Sequence, residues 1–209
     1  MFQQITVDDL HEMVDALTTA LDAKNSYMCG HSERVAMLSL LLAGSMGLSA
    51  SEQTRIHIGA HLHDIGKIGI PDVILNKKGK LTADEFGIIC QHPAIGDNIV
   101  GKLKLFHSVA DIVRHHHERF DGKGYPDGLQ GQEISLGARI VAVADAFDAM
   151  TSTRAYRTAF TLSQAIEETK RCQGTQFDPN IVAILVDLAA QDKLLSDGGG
   201  ESSGLVATA

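Results

Sequence analysis

The chain has 209 residues, 44% of them hydrophobic and 21% charged, with 26 acidic side chains against 18 basic ones and ten histidines. That length suits one domain with a sizeable core, and the composition excludes a disordered chain. A formal net charge of −8 speaks against a protein that tracks long nucleic acid, which needs clustered positive charge. Cys29, Cys90 and Cys172 form no Cys-x-x-Cys pair and cannot build a disulfide framework. The acidic N-terminus lacks a basic region followed by an apolar run, so a cytoplasmic protein is expected. The longest apolar stretch, about 35–48, is broken by Ser39, Gly44 and Ser45, which predicts no membrane span and no membrane partner.

The apolar spacing is helical nearly throughout. Leu10, Met13, Val14, Leu17 and Leu21 recur at three- and four-residue steps behind a Thr6 and Asp9 pair that reads as a capping box. A second helix is predicted over 31–46, with Val35, Leu38 and Leu42 inward and Gly47 ending it. Ser49 and Glu52 open a third, which carries Ile56 to about Ile65 and stops at Gly66. A fourth starts at Thr82 and Glu85 and reaches His92, where Pro93 breaks or restarts it. Further helices are predicted over 106–118, 136–150, 161–172 and 179–190, the last with Asp178 as N-cap and Pro179 at its first position. The run between Phe120 and Ser135 carries four glycines and a proline, and a loop of that length inside a domain is usually functional. No alternating strand pairs are seen. The reading is an all-α single domain over 1–195, followed by a flexible Gly/Ser-rich tail over 196–209.

Metal-competent side chains fall in five groups: His31; His63 and Asp64; His92; His115, His116 and His117; and Asp145. Imidazole and carboxylate together suit first-row transition metals, and a shared carboxylate can bridge two ions. Neighbours in mid-helix point about 100° apart and serve one site badly. The His63-Asp64 and His116-His117 pairs instead sit near predicted helix ends, where both members can be splayed toward one centre. A single histidine on a half-apolar helix is ordinarily a packed or surface residue, and His11, His57 and His107 are read so. His57 and His61 are four apart and can face the same way. No acidic or thiol partner completes a separate site in the sequence, and neither is assigned a role.

The runs HLHDIGKIGIP at 61–71 and HHERFDGKGYPDG at 116–128 resemble the HD-GYP family, a branch of the HD superfamily of metal-dependent phosphohydrolases. Other segments match in the family's order: GHSERV at 30–35, LNKKGKLTADEF at 75–86, QHPAIG at 91–96, ARIVAVADAFDAM at 138–150, TSTRAYR at 151–157 and GTQFDP at 174–179. The resemblance covers about 10–192. It implies a helical bundle with a dinuclear metal site in its core, and metal-dependent hydrolysis of a cyclic dinucleotide. The substrate implied is most often cyclic di-GMP, cut to the linear dinucleotide, to GMP, or to both.

Carried onto this chain, the resemblance gives one ion to His31, His63, Asp64 and Asp145. The other goes to Asp64, His92, His116 and His117, with Asp64 bridging; iron and manganese both suit these ligands. Lys67 matches the catalytic lysine. Arg154 and Arg157 match phosphate-contacting residues, Tyr125 and Gly124 belong to the Gly-Tyr-Pro signature at the pocket edge, and Asp148 is read as a substrate contact one turn from Asp145. Tyr27 stands where some members place the glutamate of a third metal, so two ions are expected. His61 stands where the family is usually apolar, and Lys78 and Ser135 replace prolines that would stiffen their turns. No receiver, sensor or membrane module is read in the chain, so any regulatory partner is expected in trans; the oligomeric state is not legible. A non-catalytic cyclic-dinucleotide sensor and an HD-type di-iron oxygenase are the competing readings.

Overall fold

The structure, a computed structural model, describes residues 7–24, 30–153 and 158–194. In chain order it gives α1 (Val7–Lys24), α2 (His31–Ser45), α3 (Ala50–Leu62), α4 (Asp72–Leu75), α5 (Ala83–Ile89), α6 (His92–Val100), α7 (Ala110–His115), α8 (Leu136–Thr151), α9 (Leu162–Arg171) and α10 (Pro179–Ala190). Three 3-10 turns, Ile65–Gly69, Lys104–Val109 and Gly131–Glu133, link them. The only β pairing among the described residues is a single bridge between Gln173 and Phe177.

Capping fixes most helix starts. Ser49 accepts the Glu52 N–H at α3, and Thr82 and Glu85 form a reciprocal capping box at α5. Thr161 and Gln164 do the same at α9, and Asp178 accepts the Asn180 N–H at α10. Each cap satisfies N–H groups that have no partner inside the helix. Gly47, at φ 71°, closes α2 as the sequence predicts. The Thr6 cap and the tail over 196–209 lie outside the described residues.

Three predicted boundaries move. The α-helix that was to run to Ile65 ends at Leu62, and a 3-10 turn carries the chain through Gly66. The segment over 106–118 divides into the 3-10 turn Lys104–Val109 and a short α7. The helix that starts behind Thr82 stops at Ile89, and α6 begins anew at His92 with proline in its first turn.

The main core joins α2, α3 and α8 to α10 through Val35, Leu42, Ile56, Ile140, Val143 and Leu185, all fully buried. A second cluster, including Val14, Leu62, Phe106 and Val113, seats α1 and α7 against α3. Ile112 of α7 fills the space above Gly59 of α3 and Gly137 of α8, where an added β-carbon would meet it at 2.8 and 2.6 Å. At its far end α1 donates from Lys24 to the carbonyls of Ile68 and Ile70, at 2.6 and 3.0 Å. That clasp holds the 3-10 turn following His63 and Asp64. No helix among the described residues is long and apolar enough to cross a membrane.

Candidate metal centre

The site is assembled from helix ends. His31 is the first residue of α2, His63 caps the C-terminus of α3, and Asp64 follows it at φ −95°, ψ 2°, outside the helix. His92 opens α6, and His116 caps the C-terminus of α7 with His117 just beyond. Asp145 alone sits within a helix, α8. The predicted splaying of adjacent side chains therefore holds for both pairs.

Backbone approach brings these ends together. A β-carbon on Gly66 would lie 1.8 Å from the His92 carbonyl oxygen and 2.5 Å from the Gly96 nitrogen. The turn carrying Asp64 thus rests main chain on main chain against the start of α6, which only glycine permits.

Four histidines are oriented the same way. His63 Nδ1 donates to the Ala60 carbonyl at 2.6 Å, His92 Nδ1 to Ile89 at 2.8 Å and His116 Nδ1 to Val113 at 2.8 Å. His31 Nδ1 meets Asp148 Oδ2 at 2.7 Å. A carbonyl only accepts, so in His63, His92 and His116 the ring proton sits on Nδ1 and Nε2 turns its lone pair inward. Anchoring of one ring nitrogen to a carbonyl or carboxylate is how metal-ligating histidines are commonly held.

The inward atoms divide around Asp64. Its Oδ2 lies 3.3 Å from His63 Nε2 and 3.8 Å from His31 Nε2. Its Oδ1 lies 3.3 Å from His92 Nε2 and 3.9 Å from His116 Nε2. The ligand-capable atoms of Asp64, His92, His116 and His117 all fall within 4.8 Å of one another, as do those of His31, His63 and Asp64. Asp145 Oδ1 reaches His31 Nε2 at 3.2 Å.

Within the protein this arrangement is unsatisfied. His63 Nε2 and Asp64 Oδ1 are buried and have no hydrogen-bond partner. His92 and His116 set Nε2 against Nε2 at 3.2 Å although both ring protons are on the far side. Buried lone pairs facing each other are costly, and a cation between them removes the cost. The donor set suits divalent metal binding.

Electrostatics agree with ligand chemistry. Burial would raise the Asp64 carboxyl, but the Lys67 ammonium and the His63 ring prevail and hold it well below the usual carboxylate range. Burial likewise works against ionised Asp145, yet its bond to His31 and the surrounding imidazoles keep it low. Burial and the neighbouring rings push His116 well down, and burial lowers His117 to about 3. Both are neutral at physiological pH, the form that ligates. His31 goes the other way: burial is outweighed by Asp145 and Asp148, and its pKa rises to about 9.

The centre opens on one side. His31, His63, Asp64, His92 and His116 are at most 4% exposed, while Lys67 and Asp145 keep 18% and 19% of their side chains in solvent. Lys67 Nζ lies 2.5 Å from Asp64 Oδ2, on the 3-10 turn. Tyr125 stacks on His117 with centroids 5.0 Å apart and meets Phe86 edge-on at 6.4 Å. Gly124 sits against the chain just after His117, where a β-carbon would lie 2.3 Å from the Arg119 nitrogen. Its place in the signature is to let the loop lie flat on that chain.

Asp148 departs from its expected role. It is 5% exposed, with Oδ2 on His31 and Oδ1 on Arg34 Nε at 2.5 Å. It stands behind His31 and orients that ring, and does not project into the opening. Arg154 and Arg157 lie outside the described residues. Glu118 received no role from the sequence, yet its buried Oε1 accepts the Asp127 and Gly128 N–H groups at 2.7 and 3.0 Å. With Arg114 and His115 on the Asp127 carboxylate at 2.7 and 2.9 Å, it fixes the loop that carries Tyr125. Adjacency in the HHERF run was the only available signal for Glu118.

Comparison with known proteins follows the same lines. Residues 15–181 match the HD domain family model. The chain is 42% identical over 182 residues to the cyclic di-GMP phosphodiesterase response regulator RpfG of Xanthomonas campestris, covering 86% of this chain and 48% of that protein. It is 42% identical to a cyclic di-GMP phosphodiesterase of Thermotoga maritima, covering 87% of this chain and 50% of the other. The chain thus spans about half the length of these curated relatives. Among solved structures, a cyclic GMP-AMP specific phosphodiesterase of V. cholerae superposes with a TM-score of 0.71 at 21% identity, over 88% of this chain and 50% of that one. At that identity the likeness establishes the fold. The chain belongs to the HD domain family.

Proposed function

We propose that this chain hydrolyses a phosphodiester bond of a cyclic dinucleotide, with cyclic di-GMP as the leading substrate, at a centre of two divalent ions. The observation that carries the reading is the division of Asp64: one oxygen faces His31 and His63, the other His92 and His116. In this reading His31, His63, Asp64 and Asp145 hold one ion, and Asp64, His92, His116 and His117 hold the other, iron or manganese in each. Such ions, when bound, supply Lewis acidity toward a phosphate and lower the pKa of a water held between them.

The chain's own residues do the rest. The Ala60, Ile89 and Val113 carbonyls hold the His63, His92 and His116 rings with Nε2 inward, and Asp148 orients the His31 ring. Lys67, partly exposed on the open side, is positioned to donate a proton to the departing ribose oxygen. Tyr125 offers an aromatic face beside His117 against which a base or ribose can pack. Arg154 and Arg157, by their match to the family motif, are assigned the second phosphate, where a guanidinium fork suits two oxygens.

The test is incubation of the full chain with cyclic di-GMP, and in parallel with the mixed guanine–adenine cyclic dinucleotide, followed by chromatography. The expected product is the linear dinucleotide, GMP or both. No turnover of either substrate with Mn2+ or with anaerobic Fe2+ overturns the reading. Tight binding without turnover would select the sensor instead.

A further inference from the structure

A second group of ligand-capable side chains lies outside this centre. Asp15 of α1, Glu33 of α2 and His61 of α3 bring their ligand atoms within 4.8 Å of one another. His61 Nε2 lies 3.4 Å from Glu33 Oε2 and 3.3 Å from His57 Nε2. His57 turns Nδ1 to the Ala36 carbonyl at 3.3 Å, so its ring proton sits there and Nε2 presents a lone pair. This is the orientation seen at the principal centre, built from different residues.

Two carboxylates therefore gather with one imidazole, whose side chain is only 4% exposed. His61 Nε2 carries at most one proton and faces both the His57 lone pair and the Glu33 carboxylate. The 3.4 Å between His61 Nε2 and Glu33 Oε2 suits a metal: ligands about 2.0–2.2 Å from a tetrahedral zinc stand roughly 3.3–3.5 Å apart. An imidazole nitrogen with two carboxylate oxygens matches the borderline character of Zn2+ better than that of Mg2+ or Ca2+.

We propose that Asp15, Glu33 and His61 form a separate zinc site. It would fasten α1 to α2 and α3. It would also brace the residues that start the principal centre, since Glu33 follows His31 by two positions and His61 precedes His63 by two. The inference is independent of the reaction proposed above.

The test counts zinc. The full chain, its His61→Leu, Glu33→Gln and Asp15→Asn variants are saturated with Zn2+, desalted and measured by elemental analysis, with unfolding curves recorded in parallel. Wild type is expected to retain one more zinc per chain than His61→Leu and Glu33→Gln, whatever number the principal centre holds. Glu33 is 60% exposed, so its variant keeps the core intact and decides the matter if His61→Leu does not fold. Equal zinc in wild type and His61→Leu overturns the proposal. So does loss in His61→Leu with full retention in both Glu33→Gln and Asp15→Asn, which would assign the lost ion to the neighbouring His63 and Asp64.

Discussion

Asp64 is the residue on which the site turns. It is 1% exposed, meets Lys67 at 2.5 Å, and faces imidazole nitrogens with both oxygens. The motif made Asp64 and the five histidines around it legible, because adjacent His-Asp and His-His pairs at helix ends have few other uses. Asp148 was misplaced for a physical reason. Helical spacing puts it on the face of Asp145, but it cannot say that His31 and Arg34 lie there to bind both oxygens. His61 was set aside because its partners, Glu33 and Asp15, stand on other helices, and only tertiary packing brings them close. The role given to Lys67 has a direct test. Lys67→Ala is expected to leave bound metal unchanged and to slow turnover about 10²- to 10⁴-fold, the usual worth of a general acid. Single-turnover kinetics with metal analysis checks this, and an undiminished rate removes Lys67 from the chemistry.

The helices were legible through their caps. Ser49, Thr82, Thr161 and Asp178 start the elements they were read to start, since a hydroxyl or carboxylate before an apolar run has a local use that no neighbour needs to supply. Helix ends were less legible. The ends near Leu62, Ile89 and His115 are set by where the site needs the chain to turn, and local spacing carries no record of that demand. The short α4 and the 3-10 turn at Gly131–Glu133 escaped notice because so few residues leave no periodicity to read. Gly66 was taken for a helix stop; its more important property is the absence of a side chain. Gly66→Ala would drive a methyl into the His92 carbonyl, so the turn bearing Asp64 must lift from α6. The expected result is a loss of about 1–3 kcal/mol, the common cost of overpacking, read as a lower urea midpoint together with weakened metal retention. A variant with wild-type midpoint and metal content would show that this backbone contact does not position the site.

For the molecule as a whole, the acidic balance and the proposed anionic substrate are reconciled by locality. In the proposed reading, two divalent ions with Lys67 beside them would make the open side of the centre positive although the chain carries −8. The all-α architecture was readable because helical periodicity runs through nearly every segment and the structure packs those segments around the apolar faces it predicts. What depends on helices distant in sequence, from the seating of Ile112 to the orientation of His31, was not. The most direct test of the central claim is cyclic di-GMP hydrolysis by chelator-stripped protein, followed as Mn2+ is added back, for wild type and Asp64→Ala. The account predicts no product from stripped wild type, recovery with Mn2+, and no recovery in Asp64→Ala at any Mn2+ concentration. Hydrolysis that survives stripping, or an Asp64→Ala variant that returns to the wild-type rate, would contradict it.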